Sequence, residues 1–296
     1  MYYNEETIIY HEGKFMKAAE ARCSVFDQSL HYGYASFEGI RSYKTSKGTR
    51  IFKAKEHFDR LQFSSEAVGI PYPFDNHELI EISYSLLEQN GFSNAYLRPL
   101  VSCSPNMTLT KGKTVQLTIA AWEWPAYLGD KLLKLKTASF RRISPASFKV
   151  EAKVSGHYIN SILATQEAKD HGYDEALLLD VDGYIAEGPG ANIFIELGGV
   201  LHTPQTGSIL PGITRATVLE ICKQSGIEVE ERRIRPEELL KADSAFYCGT
   251  AAEIIGIQSI DDKILPLDWK DSIGAVIQQA YQNLVLEKEN IIEQVA

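Results

Sequence analysis

The sequence predicts an α+β chain folded as two domains, each a sheet layered with helices. Three observations carry this expectation. Short strand-like runs are joined by tight-turn signals, of which Asp182-Gly183 and Gly198-Gly199 are the clearest. Helical patterns lie between the hairpins, with apolar residues recurring at spacings of three and four, as in Leu79, Ile82 and Leu86. The regular pattern breaks around Trp124-Pro125-Ala126-Tyr127-Leu128-Gly129, which marks a domain boundary. Hairpins mixed with helices favour such layers over a doubly wound parallel sheet. The expected division is a small N-terminal α/β domain over 1–123, a connection over 124–136, and a larger C-terminal α/β domain with mixed sheets over 137–296.

In chain order, residues 7–10 and 14–18 flank His11-Glu12-Gly13 as a small hairpin. A short helix is expected over 29–38, followed by strand-like residues around 48–52 and a helix over 56–68. Asp75 or Asn76 caps the next helix, which stops at Asn90-Gly91. Strands follow at 94–103, 114–121 and 133–139, and a loop at 144–149. The second half reads as a helix over 156–171 closing at Gly172, an apolar strand over 174–180, and a hairpin over 192–203. A helix over 214–225 and strands at 227–233, 244–248 and 254–259 come next. The last helix starts near Asp268 and carries an apolar stripe that includes Ile273, Ile277, Ala280 and Leu284.

With 296 residues the chain is long enough to bury a substantial core. A net charge of −9 argues against nucleic acid or an anionic membrane as the main partner. Any anion must therefore be held by a compact group of basic side chains and backbone N–H groups. Cys23, Cys103, Cys222 and Cys248 have neither disulfide-like nor metal-ligand spacing, and the seven histidines form no HExxH pattern, so no metal is expected. The acidic start and the lack of a membrane-length apolar run point to a cytoplasmic protein.

Several stretches carry chemistry. Lys153 sits beside the small residues Ser155 and Gly156, which leave room for a bulky group near its amine. A lysine that condenses with a carbonyl has to shed its proton near neutral pH. Glu187 follows the Asp182-Gly183 turn and precedes Gly188-Pro189-Gly190, where the backbone is forced to be irregular. Leu210-Pro211-Gly212 opens directly into a helix, so the first N–H groups, at Ile213 and Thr214, are available to an anion. Gly249-Thr250-Ala251-Ala252-Glu253 is a small-residue turn after an apolar strand and offers further N–H groups. Tyr96 and Arg98 lie two apart on a strand, so both project from one face and suit a carboxylate. Taken singly each has an ordinary reading: a solvated lysine, a strand-end carboxylate, a capped helix start, a tight connection, an exposed pair.

Taken together, the stretches resemble the class IV, or fold-type IV, pyridoxal phosphate aminotransferases, and within them the branched-chain amino acid aminotransferases. In the first half the likeness rests on Phe37-Glu38-Gly39-Ile40-Arg41, His57-Phe58-Asp59-Arg60-Leu61, Tyr96-Leu97-Arg98-Pro99 and Ala126-Tyr127-Leu128-Gly129. In the second half it rests on Lys153 with Tyr158, the run Asp182 to Gly188, Leu210 to Arg215, and Gly249 to Glu253. The resemblance implies a fold-type IV fold whose larger domain binds pyridoxal 5′-phosphate. It also implies that Lys153 is the Schiff-base lysine and moves the Cα proton. Glu187 would pair with the pyridine nitrogen and Tyr158 with the phenolic oxygen. Arg60, Ile213, Thr214 and Thr250 would hold the phosphate. The substrate α-carboxylate would meet Tyr96 and the N–H groups of Thr250 and Ala251. Tyr32, Phe37, Trp124 and Tyr158 would wall an apolar pocket, while Arg98 and Tyr127 would receive the distal carboxylate of glutamate.

The resemblance further implies a homodimer in which Tyr32 reaches the pocket of the partner subunit, and amino and 2-oxo acid substrates. The stretch Cys103 to Thr110 departs from the glycine-containing loop usual in the family, which bears on side-chain preference. A D-amino acid aminotransferase or an aminodeoxychorismate lyase would share the lysine and phosphate site. Tyr96, Arg98 and the segment 126–129 match the branched-chain pattern instead. A cofactor-free oligomeric binding protein is the reading from outside enzymology.

Overall fold

The chain opens on the hairpin its turn predicts. Strands β1 (Ile8–His11) and β2 (Lys14–Lys17) pair antiparallel around Glu12-Gly13, both in left-handed backbone at φ 48° and 84°. The computed structural model describes residues 2–124, 128 and 131–288. It falls into two units, one made of Met1–Pro125 with Ala152–His157 and the other of Ala126–Glu151 with Tyr158–Ala296. Lys153 therefore belongs to the first unit.

In that unit follow α1 (Gln28–Tyr32), β3 (Ala35–Phe37), β4 (Ile40–Thr45), β5 (Gly48–Ile51), α2 (Ala54–Ala67), α3 (Asn76–Asn90), β6 (Ala95–Cys103) and β7 (Val115–Trp122). The sheet runs β2-β1-β7-β6-β4-β5, with β3 also paired to β6, and its pairings are antiparallel. Asp75 caps α3 by accepting the Glu78 N–H at 2.9 Å, and Gly91 ends that helix at φ 68°. Along β6 the side chains of Leu97, Val101 and Cys103 enter the core beneath Phe58, Leu61, Leu79 and Leu86. Each fully buried Leu or Phe contributes about 1.5–3 kcal/mol. The alternation leaves Tyr96 and Arg98 on the other face of β6.

One helix is shorter than its pattern suggests. The stretch 29–38 was expected to be one helix, yet α1 stops at Tyr32, where Gly33 takes a left-handed cap at φ 65°. Ala35–Phe37 then pairs with Leu100–Ser102. The sheet's hydrogen bonds override the aromatic helical spacing, and Tyr34 and Phe37 leave the helix.

The second unit holds β8 (Leu133–Arg141), α4 (Tyr158–Asp170), β9 (Glu175–Leu179), β10 (Ile185–Glu187), β11 (Asn192–Leu197), β12 (Val200–Pro204), α5 (Ile213–Ser225), β13 (Val229–Arg232), β14 (Ser244–Gly249), β15 (Glu253–Ile260), β16 (Lys263–Ile264) and α6 (Ile273–Val285). The sheet order is β10-β9-β8-β15-β14-β11-β12-β13, with β16 on β15. It is mixed: β8 is parallel to β9 and β15, and β12 to β13, while the remaining pairs are antiparallel. Both faces of β9 and most of β11 are buried, which is why they read as continuous apolar runs. Cys103, Cys222 and Cys248 are buried and Cys23 is exposed, all as free thiols.

Candidate active site

In the first unit, the alternation of β6 gathers a cluster around the Phe37 ring. Arg98 Nη2 donates to Tyr96 Oη at 3.3 Å, and the Arg98 guanidinium lies 4.7 Å from the Phe37 ring centroid. The Lys153 Nζ stands 5.0 Å from the centroid of the same ring. Trp124 meets Tyr96 edge-on at 4.8 Å, and Trp122 packs on both. One aromatic ring thus serves two basic groups, an arrangement favoured by the negative potential over its faces.

Lys153 is fixed through its backbone. Its N–H donates to Ser64 Oγ at 2.9 Å, and its carbonyl accepts the Phe37 N–H at 3.1 Å. The Gly156 N–H donates to the Gly33 carbonyl at 3.0 Å, and a Cβ on Gly33 would come within 2.8 Å of Gly156 Cα. The glycine beside the lysine therefore accommodates a backbone crossing.

Arg60, on α2, spends two of its donors on a residue the sequence reasoning passed over. Its Nε donates to Glu38 Oε1 at 2.6 Å and its Nη2 to Oε2 at 2.9 Å. His57 Nδ1, one helical turn earlier, donates to Glu38 Oε2 at 2.7 Å. Burial alone would push the Glu38 carboxyl up, but the charges and hydrogen bonds of Arg60 and His57 outweigh it and hold the group well below the usual carboxylate range. His57 is pushed down, first by burial. The available signal was an acidic residue set between Phe37 and Ile40 in an otherwise apolar stretch.

Tyr32 is 45% exposed, and its hydroxyl donates to the Met107 carbonyl at 3.2 Å, on the atypical 103–110 stretch. Tyr127 lies outside the described residues.

In the second unit, Glu187 ends β10 and is buried. Its Oε1 accepts from Arg142 Nε at 2.5 Å and its Oε2 from Asn192 Nδ2 at 3.0 Å, while the Leu210 N–H lies 3.2 Å from both oxygens. Asn192 Nδ2 also reaches the Leu210 carbonyl at 3.0 Å. A Cβ on Gly212, the cap of α5, would fall 2.0 Å from Asn192 Oδ1. Asn192 thereby ties the carboxylate to the start of α5, where Ile213 is half-buried and Thr214 buried. Arg142 and Asn192 were given no role from the sequence. Nothing in their spacing links them to Glu187, since the contact depends on β8, β10 and β11 sharing one sheet.

Two further loops close on the same region of this unit. Ser161 Oγ donates to the Pro189 carbonyl at 2.7 Å, anchoring α4, which begins at Tyr158, to the Gly188–Gly190 turn. A Cβ on Gly249 would come 3.1 Å from the Gly190 carbonyl, so the turn bearing the half-buried Thr250 and Ala251 packs against that turn as well. Groups of His, Cys, Asp and Glu able to hold a metal ion are absent among the described residues. No helix among those residues is long and apolar enough to cross a membrane.

These features, on this pair of sheets, are those of an aminotransferase. The chain belongs to the class IV amino-transferases, whose family model matches residues 35–260. Within that class it is similar to the branched-chain-amino-acid aminotransferase of Pseudomonas aeruginosa, at 38% identity over 96% of this chain and 95% of that protein. The putative branched-chain-amino-acid aminotransferase of Methanocaldococcus jannaschii is 40% identical over 87% of this chain and 89% of its own. Among solved structures, the branched-chain aminotransferase of Thermoproteus uzoniensis with norvaline superposes with a TM-score of 0.92, at 38% identity over 96% of both chains. The branched-chain amino acid aminotransferase of Thermobaculum terrenum in its PLP-form gives 0.90, at 30% identity over 96% of this chain and 95% of that one. The fold is that of the fold-type IV aminotransferases.

Proposed function

We propose that this protein is a pyridoxal phosphate-dependent aminotransferase that passes an amino group between leucine, isoleucine or valine and 2-oxoglutarate, working as a cytoplasmic homodimer. The observation that carries the reading is the Phe37 ring shared by Lys153 and Arg98, with Arg98 hydrogen-bonded to Tyr96. An amine, an apolar wall and a carboxylate-binding fork are grouped in one cluster. That suits an enzyme which takes both an apolar amino acid and a dicarboxylic one.

The residues fit the cofactor. Glu187 is a buried carboxylate held by three donors, and the buried Nη1 of Arg142 beside it has no hydrogen-bond partner among the described residues. The start of α5 is a ready anion site. Pyridoxal phosphate supplies an aldehyde for amine exchange and a ring that withdraws electrons from the substrate's Cα.

The chain's own residues do the rest. Lys153 would hold the cofactor through its Nζ and would be the group that takes and returns the Cα proton. Glu187 would serve as acceptor for the ring N–H, and Tyr158 would meet the phenolic oxygen. Arg60, the Ile213 and Thr214 N–H groups and Thr250 hold the phosphate. Tyr96 and the N–H groups of Thr250 and Ala251 receive the α-carboxylate. Phe37, Trp124, Tyr158 and a partner subunit's Tyr32 exclude water from the side-chain pocket. Arg98 and Tyr127 take glutamate's distal carboxylate. A small N-terminal domain over 1–123 and a large C-terminal domain over 137–296 would be joined by a connection over 124–136.

Half-reactions followed by the visible absorbance of the bound cofactor test the reading, with D-alanine beside L-leucine and with Lys153→Ala as control. L-leucine is expected to convert the cofactor and D-alanine to leave it unchanged. Failure of leucine, isoleucine and valine alike would sink the substrate assignment.

A further inference from the structure

Glu187 does not stand alone, and its partners have no role in the reading above. Arg142 lies one residue beyond β8, with its backbone N–H on the Leu179 carbonyl at 2.8 Å, so the sheet fixes its origin. Arg142 is 8% exposed and its Nε meets Glu187 Oε1 at 2.5 Å, a charge-assisted contact between two buried groups. Asn192, 4% exposed, supplies the second side-chain donor at 3.0 Å on the other oxygen. With a donor on each oxygen, the carboxylate plane is set by β8 and β11 rather than by the glutamate's own rotamer preference.

A lone carboxylate at this depth would be costly, because burial penalises its charged form. A guanidinium stays charged throughout, so the pair keeps Glu187 ionised as an acceptor. The Arg142 Nη1, buried and without a hydrogen-bond partner among the described residues, leaves this cluster one donor more than its protein acceptors use.

We propose that Arg142 and Asn192 form a positioning pair that holds the Glu187 carboxylate ionised and aimed at the ring nitrogen of bound pyridoxal phosphate. This rests on the cofactor assignment made above. On this arrangement, the grip on the ring nitrogen passes through Arg142, while the phosphate grip does not.

The test compares equilibrium dissociation constants of the full-length protein for pyridoxal phosphate and for its analogue with carbon in place of the ring nitrogen. Wild type, Arg142→Lys, Arg142→Gln and Asn192→Ser are measured by fluorescence quenching, with thermal melting alongside. The wild-type preference for the nitrogen-bearing cofactor is expected to fall about tenfold in Arg142→Gln, the size of one charge-assisted hydrogen bond. Arg142→Lys, which keeps the charge, is expected to fall less, and Asn192→Ser to fall by a comparable smaller factor. If Arg142→Gln fails to fold, the other two variants carry the same ratio. A merely structural role would weaken both cofactors equally, and an unchanged ratio with normal wild-type binding overturns this inference alone. Wild-type protein that binds no pyridoxal phosphate would instead overturn the cofactor assignment, and this inference with it.

Discussion

The Arg60 guanidinium grips the buried Glu38 carboxylate through hydrogen bonds of 2.6 and 2.9 Å, and the Glu38 N–H donates at 2.9 Å to the Pro99 carbonyl on the strand that carries Tyr96 and Arg98. A buried pair of this kind contributes little over an apolar substitute, but breaking it strands a charge. Glu38→Gln removes the buried carboxylate charge that Arg60 and His57 both bond, and a loss of about 3–5 kcal/mol is expected at pH 7. Urea unfolding of both proteins measures it.

The same pair sets part of the acid limb. Glu38 is depressed well below its ordinary value of 4.5, so its contribution is present above that value and fades as pH falls beneath it toward the folded-state value. The gap between wild type and Glu38→Gln is expected to narrow below about pH 4.5. His57, whose ordinary value is 6.5, is also depressed, so wild-type stability should already decline as pH drops through that value. Unfolding midpoints at several pH values decide this; a gap that stays constant down to acid pH would refute the assignment to Glu38.

Arg98→Gln removes a planar fork but leaves the aromatic wall. The expected result is a rise of about 10- to 100-fold in KM for 2-oxoglutarate, the scale of a lost charge-assisted contact. The half-reaction with leucine should change less than about threefold, because no distal carboxylate is involved. Steady-state kinetics with both substrates varied separate the two effects.

Gly39 is required by close approach, since a Cβ there would lie 1.8 Å from the Tyr96 hydroxyl. Gly39→Ala must move Tyr96 and with it the hydrogen bond to Arg98. A cost of about 1–3 kcal/mol is expected, the range for overpacking. Tyr96→Phe removes the nearest clashing atom and leaves the ring Cζ at 2.6 Å, so the double variant should lose less than the sum of the single losses. Thermal unfolding of the four proteins closes that cycle.

Gly212→Ala places a methyl 2.0 Å from Asn192 Oδ1, at the hinge between the Glu187 cluster and α5. Retention of pyridoxal phosphate should weaken by about tenfold or more, on the scale of one lost hydrogen bond to a charged group. Dialysis against cofactor-free buffer followed by absorbance reports it.

Much of the fold was legible because its signals are local. The turn at Glu12-Gly13, the Asp75 cap and the hairpin through Gly198-Gly199 each depend on a few adjacent residues. The helix expected over 29–38 shows the limit of such signals: β3 exists only because β6 lies beside it, and no local pattern contains that pairing.

The division within the candidate site is the same. By itself the sequence singled out the candidate residues: Lys153, Glu187, the Pro211-Gly212 helix start and the Tyr96–Arg98 pair are marked by residue type, turn chemistry and strand period, and it is their joint order that carries the family resemblance. Only the tertiary structure decided what holds them. Glu38 is 22 residues from Arg60, and Arg142 is 45 residues from Glu187. The energy of a buried ion pair depends on distance and desolvation in three dimensions, and neither is encoded in spacing along the chain.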